Sequence, residues 1–415
     1  METLEDTYNI NGPINVVRLE GNINGIHKIL YVFFDWHVHE KKCNDLISIN
    51  IDQYLIREFN NINQNNDINI KYDFFLETRL SDTSASKDQL NSKEWMPHYL
   101  GDLWVMFEKY NNIKFHIQNK KIPNDKNNEA KVRLHYIDIR DIFKYEMFEL
   151  THILFNYINQ NQLLLAINEL DLYIIKNNNI INILKTPKII KGDKNINFNK
   201  MKTHQINTDD EKKLFYSFFT NMIYKLKNVY KNNKNKIIIN EYINNIIQLY
   251  EKSNEEVQNL LTILREIHKE NTENYGKLYC TISECNYDYN TKNLKKIHNT
   301  MNNIYDIIHH TNYMIYVLLT DLYFLRRFVD KDYITNGITY TGSGHSLNYI
   351  YILIKEYDFK ITHSNYMNIE ESIIKNEMKN KKITFEEIMI NFAKYFHPEY
   401  FNQCVNMSKF PKLFT

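Results

Sequence analysis

The chain has 415 residues, of which 43% are hydrophobic and 24% charged, so it can bury a sizeable core and bulk disorder is excluded. Its 51 basic and 50 acidic residues nearly cancel and form no Lys/Arg block, which leaves no electrostatic footprint for nucleic acid or an anionic membrane surface. The 31 Tyr, 9 Gly and 6 Pro, with abundant Asn, Ile and Lys, follow AT-rich codons and are read as genome bias before chemistry.

The first third reads as strands. INVVRLEG and HKILYVFFDWHV are β-branched and aromatic runs joined by GNINGI, whose Asn and Gly predict a hairpin turn. In DLISINIDQYLIREFNNI, Leu46, Ile49, Ile51, Tyr54, Leu55 and Phe59 recur at helical spacing. An Asn-rich loop leads to the strand KYDFFLET at 71–78, and strand, helix, strand favours a parallel pair. Residues 79–105 read as a long ordered loop, and KVRLHYIDIRD at 131–141 as a further strand.

From about 142 apolar residues recur three and four apart, and helices are expected to about 330, with polar breaks at 186–208 and at KNNKNK, 231–236. The strand pattern then returns. Ile338–Tyr340 is a brief strand, Gly342 and Gly344 form a flexible turn, a helix starts near Ser346, and DFKIT closes the sheet. The expected fold is α+β with an α/β-like core: a central mixed, partly parallel sheet, split in sequence, flanked by helices and carrying a large helical insertion. Its parts are 1–141 and 331–365 as the two halves of the core, 142–330 as the insertion, and 366–415 as a helical extension.

Four strand ends present polar residues where open sheets bind ligands. They are Asp35, His37 and His39; Glu77 and Arg79; Asp138, Arg140 and Asp141; and His345 and Ser346. His37, Glu77, Arg140 and His345 are the candidate catalytic set. His37, Glu77 and His345 could hold a divalent metal and an activated water; without metal, the histidines move protons, Glu77 is base or orienter, and Arg140 holds an anion. Gly342 and Gly344 would let backbone approach a ligand closely, at positive φ. Each residue has a plain structural reading: a hydrogen-bonded histidine, a solvent-facing glutamate, an arginine paired with Asp138 or Asp141. GSGHS lacks both the P-loop ending and the frame of a nucleophile elbow.

These segments, in this order, resemble the Tiki/TraB superfamily, which includes erythromycin-esterase-like, ChaN-like and Tiki protease members. YVFFDWHV resembles its first strand with His37, DFFLE the strand ending in Glu77, YIDIRDI the segment with Arg140, and YTGSGHSLNYIYILIKEYDFKI the closing segment with Gly342 and His345. The first motif's glycine is Phe34 here, and Trp36 stands where the family keeps a small residue. The resemblance implies a hydrolase, peptidase- or esterase-like, and allows a haem-binding module. The alternative is a structural or interaction protein, for instance a virion component, because the residue usage also resembles uncharacterised proteins of AT-rich giant viruses. Cys43, Cys280, Cys285 and Cys404 form no C-x-x-C pair or regular framework, so reduced thiols in a cytosol-like compartment are expected. METLEDTYNINGP lacks a signal-peptide pattern, and no run reaches the length of a membrane span. The expected setting is host cytoplasm or virion, with self-association allowed by the long helices.

Overall fold

A computed structural model describes residues 9–36, 43, 48–64, 70–79, 98–109, 131–139, 163–190, 209–274, 291–380, 387–399 and 402–415. The first hairpin turns at Asn24 and Gly25, whose φ of 54° and 80° are the two left-handed positions of a tight primed turn. They join β2 (Asn15–Ile23) to β3 (Ile26–Asp35) in an antiparallel ladder closed by Ile23 and Ile26. The chain continues through β4 (Ile49–Asn50), α1 (Ile51–Gln64), β5 (Tyr72–Arg79), α2 (His98–Lys109) and β6 (Val132–Asp138). Helix α2 begins inside the stretch expected to be loop, because Tyr99, Leu100, Leu103 and Met106 supply a buried face.

The second visit to the sheet is β7 (Asn336–Gly342), then α7 (Ser343–Tyr357) and β8 (Lys360–Ser364). The strand order is β6-β5-β7-β3-β2-β8, with β6, β5, β7 and β3 parallel and β2 antiparallel to both its neighbours. This is the mixed sheet, split in sequence and flanked by helices, that the residue pattern predicts. The strand β7 runs directly into α7, so the expected glycine turn is absent. Gly342 has φ −51° and ψ 149°, an extended N-cap that needs no left-handed freedom.

Alternation along the strands divides the sheet into two faces. Ile29, Tyr31, Phe33, Tyr72, Phe74, Leu76, Val132, Leu134, Ile338 and Tyr340 meet the apolar sides of α1 and α2. The opposite face receives α7 and the last turns of α6 (Thr291–Asp330), where Phe324 packs edge-on against Phe75 at 4.8 Å. Gly337 permits that approach, since a Cβ there would lie 2.8 Å from Leu30 and 3.0 Å from Phe328. Lys28, on the same face, is buried and donates to the carbonyls of Phe328 (2.9 Å), Lys331 (2.8 Å) and Ile334 (2.6 Å), capping the end of α6.

A smaller sheet, β4-β1-β9, is built from β1 (Asn9–Asn11), β4 and β9 (Cys404–Asn406). Residues beyond 366 therefore do more than extend the fold: after α8 (Glu371–Asn380) and a short helical segment, β9 pairs with β1, and Val405, Met407, Phe410 and Phe414 enter the core. A disulfide joins Cys43 to Cys404. This corrects the expectation of reduced thiols at Cys43 and Cys404, while Cys280 and Cys285 lie outside the described residues; the bonded partners are 361 residues apart, a spacing that no local cysteine pattern announces.

Contacts divide the chain into two units, Met1–Asp138 with Tyr323–Thr415, and Ile139–Leu322. The second unit contains α3 (Leu163–Lys185), α4 (Asp209–Asn228), α5 (Asn233–Asn274) and α6 up to Leu322. Leu170, Tyr173, Val257, Leu261, Leu264, Ile304 and Ile308 form its core. Arg265 grips both oxygens of Asp171 at 2.6 Å, and Tyr173 reaches Ser253 at 3.3 Å, so α3 and α5 are held by polar as well as apolar contacts. No helix of the described residues is long and apolar enough to cross a membrane.

Candidate functional site

Chain direction reverses its progress across the sheet at β3 and β7. From β3 the chain moves through α1 to β5, on one side; from β7 it moves through α7 to β8, on the other. Such a switch point opens a crevice beyond the carboxyl ends of the strands. The register brings Asp35 level with Gly342, and Leu76 level with Tyr340, so Glu77 stands beside Thr341 at the same edge.

Glu77 points to the face that carries α7. Its Oε2 accepts from the Gly342 amide at 2.6 Å, across 265 residues of sequence, and its Oε1 lies 3.2 Å from His345 Nε2. Both residues are buried, 4% exposed for Glu77 and 5% for His345. The carboxylate thus satisfies an orphan amide at the positive end of α7 and fixes one edge of the imidazole in the first turn of that helix. Thr341 and Ser346 exchange a hydroxyl contact of 2.9 Å beside it, tying strand end to helix start. On the opposite face, the buried Tyr340 hydroxyl donates to Asp35 at 3.1 Å; burial first, then the Asp35 charge, pushes that phenol well above its usual range.

Of the candidate set, Glu77 and His345 are brought together as expected. His37 and Arg140, and also His39 and Asp141, lie outside the described residues. Gly342 contributes its amide to Glu77, and Gly344 sits in the first turn of α7; among the described glycines, positive φ occurs at Gly12 and Gly25 and not at these two. Trp36 meets the His397 ring edge-on at 5.7 Å, and Phe34 is fully buried against Phe396 and His397, so the bulky residues of the first strand end are absorbed by the C-terminal helical segment.

Among the described residues no group of three or more His, Cys, Asp or Glu is placed to hold a metal ion. The pair itself fits one edge of such a site. Two donors at zinc-like distances of about 2.0–2.2 Å in a tetrahedron lie roughly 3.3–3.6 Å apart, slightly more than the 3.2 Å between Glu77 and His345.

A second His–carboxylate pair on the same face is not among the candidates drawn from the sequence. His135 Nε2 lies 2.6 Å from Asp73 Oδ1, Arg327 donates to His135 Nδ1 at 2.9 Å, and Arg133 donates to Asp73 Oδ2 at 2.5 Å. Since the guanidinium can only donate, Nδ1 is the acceptor and Nε2 carries the proton to Asp73. Phe75 stacks on the ring at 4.7 Å. Burial, reinforced by Arg327 and Arg133 and opposed by Asp73, pushes the imidazole pKa down, so the ring stays neutral. Period-2 alternation in YDFFLE and VRLHYID is the signal that could have found it, because it puts Asp73, Arg133 and His135 on the face of Glu77.

Comparison with known proteins adds the relationship. Residues 8–415 match a family of unknown function, DUF5847. The chain belongs to that family. It is 31% identical to uncharacterized protein R706 of Acanthamoeba polyphaga mimivirus, over 98% of this chain and 96% of that protein. It is 30% identical to uncharacterized protein R161 of the same virus over the full length of both, and 28% identical to R160 over 98% and 97%. No solved structure matches. The giant-virus resemblance agrees with these relatives; the Tiki/TraB resemblance is overturned, because the full-length match is to DUF5847. Its basis was four short strand ends, and a parallel sheet places polar residues at such ends whatever its ancestry.

Proposed function

We propose that the carboxyl edge of the large sheet is a hydrolytic site in which His345 moves the proton and Glu77 orients its imidazole. The observation that carries this reading is the Glu77–His345 pair, 3.2 Å apart and buried, at a topological switch point. Histidine is suited to withdraw a proton from water near neutral pH, and an adjacent carboxylate stabilises the imidazolium that results. The amide end of α7 favours negative charge developing next to it. Arg140 and His37 complete the reading as anion holder and further proton carrier. In its metal-assisted form, Glu77, His345 and His37 would bind a divalent ion that supplies an acidified water.

Turnover of acetate, butyrate and phosphate nitrophenyl esters and of a fluorogenic peptide mixture tests the proposal, with and without Zn²⁺ or Mn²⁺. The expected result is hydrolysis by the wild type that falls about 100-fold in His345→Asn and Glu77→Gln, within the range of general-base catalysis. Turnover no higher than in His345→Asn on every substrate defeats it. For the metal-assisted form, the ion content of the purified protein should drop when His37 and His345 are replaced by Ala.

The competing reading is a structural or interaction protein of the virus particle. It is favoured by the way Glu77 also caps α7 and the Asp73–His135–Arg327 cluster holds α6, both of which are scaffold roles. Under that reading the same variants lower the melting temperature and change no turnover.

A further inference from the structure

The Cys43–Cys404 disulfide lies at a junction of the small sheet that nothing in the proposed chemistry uses. Cys404 faces Asn11 in the β1–β9 ladder, and Asn11 Oδ1 accepts from the Cys43 amide at 2.7 Å, while its Nδ2 donates to Ser48 (3.1 Å) and Asn50 (3.3 Å). One residue thus meets both halves of the bridge, Cys404 through its backbone and Cys43 through the side chain that also reaches β4. Directly after β1, the Gly12 amide donates to the Gln403 carbonyl at 3.0 Å. Gly12 has φ +136°, and a Cβ there would lie 2.9 Å from Ile51 and 3.3 Å from the Tyr340 hydroxyl, so the backbone at this corner passes close to the hydroxyl that bonds Asp35.

Both cysteines are partly exposed, so an attacking thiolate can reach the bond. Without the bond, β9 and the segment after it keep three paired residues, the Gly12–Gln403 bond, the bonds of Asn406 to Asn365 and Asn9 at 2.7 Å, the burial of Val405, Met407, Phe410 and Phe414, and the bonds of Arg18 and Tyr31 to the Thr415 carbonyl at 3.1 and 3.2 Å. These contacts can open locally, whereas a covalent tie returns Cys404 to its place after every opening.

We propose that the disulfide is a redox-responsive strap: closed in an oxidising setting such as a particle, and released when the protein meets a cellular thiol pool, loosening β9 and the segment after it. A thiolate of the reductant attacks one cysteine sulfur, breaking the S–S bond and forming a mixed disulfide while the other cysteine leaves as thiolate. A second reductant thiolate then attacks the mixed disulfide, releasing the first cysteine as thiolate and the reductant as its own disulfide. Two electrons pass to the protein, and each cysteine thiolate takes up one proton. This device is independent of hydrolysis.

Hydrogen exchange on the full-length protein, oxidised and after reduction by a phosphine, decides the matter, with Cys43→Ala/Cys404→Ala as the permanently open form. Amides of Val405, Asn406, Phe410 and Phe414 should exchange at least tenfold faster in the reduced protein and in the variant, while those of Val32 and Thr339 keep their rates. Equal rates in both redox forms overturn the proposal, and so does uniform acceleration across the sheet, which would make the bond a global staple. Alkylation of both cysteines in protein isolated without reductant also overturns it. Should the variant fail to fold, the chemically reduced wild type gives the same readout.

Discussion

Two histidine–carboxylate pairs stand on one face of one sheet, and they differ in where along the strands they lie. In Asp73–His135 both ring nitrogens are committed, one to a carboxylate and one to Arg327, and Phe75 covers the plane. In Glu77–His345 the carboxylate is shared between the imidazole and a helix-start amide, at the edge where strands end and a crevice opens. Pairing alone therefore does not mark a reactive histidine. Location distinguishes the two: Glu77–His345 lies at the carboxyl edge, where the proposed hydrolysis needs it, and Asp73–His135 lies away from that edge.

Removing Asp73 is the strongest way to break the first pair. Asp73→Ala leaves Arg133 and the neutral His135 facing each other without their shared acceptor, in a site with no access to water for Asp73 itself. The expected loss is about 3–5 kcal/mol, the range for deleting one partner of a buried charge pair, read as a shift in the urea midpoint. A loss below about 1 kcal/mol would mean that the cluster is not a clamp. Next in size is Lys28→Met, which keeps the apolar stem and strands three carbonyls at the end of α6. Burial lowers this ammonium to about 8, offset in part by Asp332, Asp73 and Asp330, and the substitution removes its bonds to the three carbonyls. A cost of about 2–3 kcal/mol is expected from the unmet carbonyls.

These pairs also mark how far the residue pattern reaches. The Asn24-Gly25 hairpin, α1 and strands β5 and β6 follow from short-range signals, and the meeting of Glu77 with His345 follows from placing strand ends at one edge. What escaped is non-local or short. Strands β1, β4 and β9 have two or three residues each and no periodicity of their own, and a bridge between Cys43 and Cys404 closes only because the C-terminal segment returns to β1. Gly342 and Gly344 misled in the other direction: glycines next to a histidine read as a flexible turn, yet the carboxylate of Glu77, far away in sequence, caps the helix there and lets strand pass straight into α7. His135 sits within β6 and not at its end, and its partners Asp73 and Arg327 come from the start of β5 and the end of α6, so no local pattern alone announces the cluster.

The second pair is sharpened by separating its cap from its charge. Glu77→Ala leaves the buried Gly342 amide unmet and should cost about 1–2 kcal/mol, while Glu77→Gln keeps an acceptor for that amide and should cost less than half as much. If hydrolysis falls equally in both, the charge beside His345 matters; if only the Ala variant is impaired, Glu77 acts through the helix start.

The smallest effect expected concerns acid. His397, packed against Phe34 and Trp36, is lowered by burial to about 4, and burial likewise lowers His135. An unfolded chain would protonate these rings near the ordinary value of about 6.5. Between that value and about 4 the unfolded state therefore binds more protons than the folded one, which makes the slope of stability against pH positive. The contribution of the neutral His397 ring is complete above pH 6.5 and is lost as pH falls through the folded value. His397→Phe keeps an aromatic ring against Trp36 and removes the proton, so its urea midpoint should decline less than that of the wild type between pH 6.5 and 4. Parallel decline of the two proteins would rule out His397 as the source of the acid sensitivity.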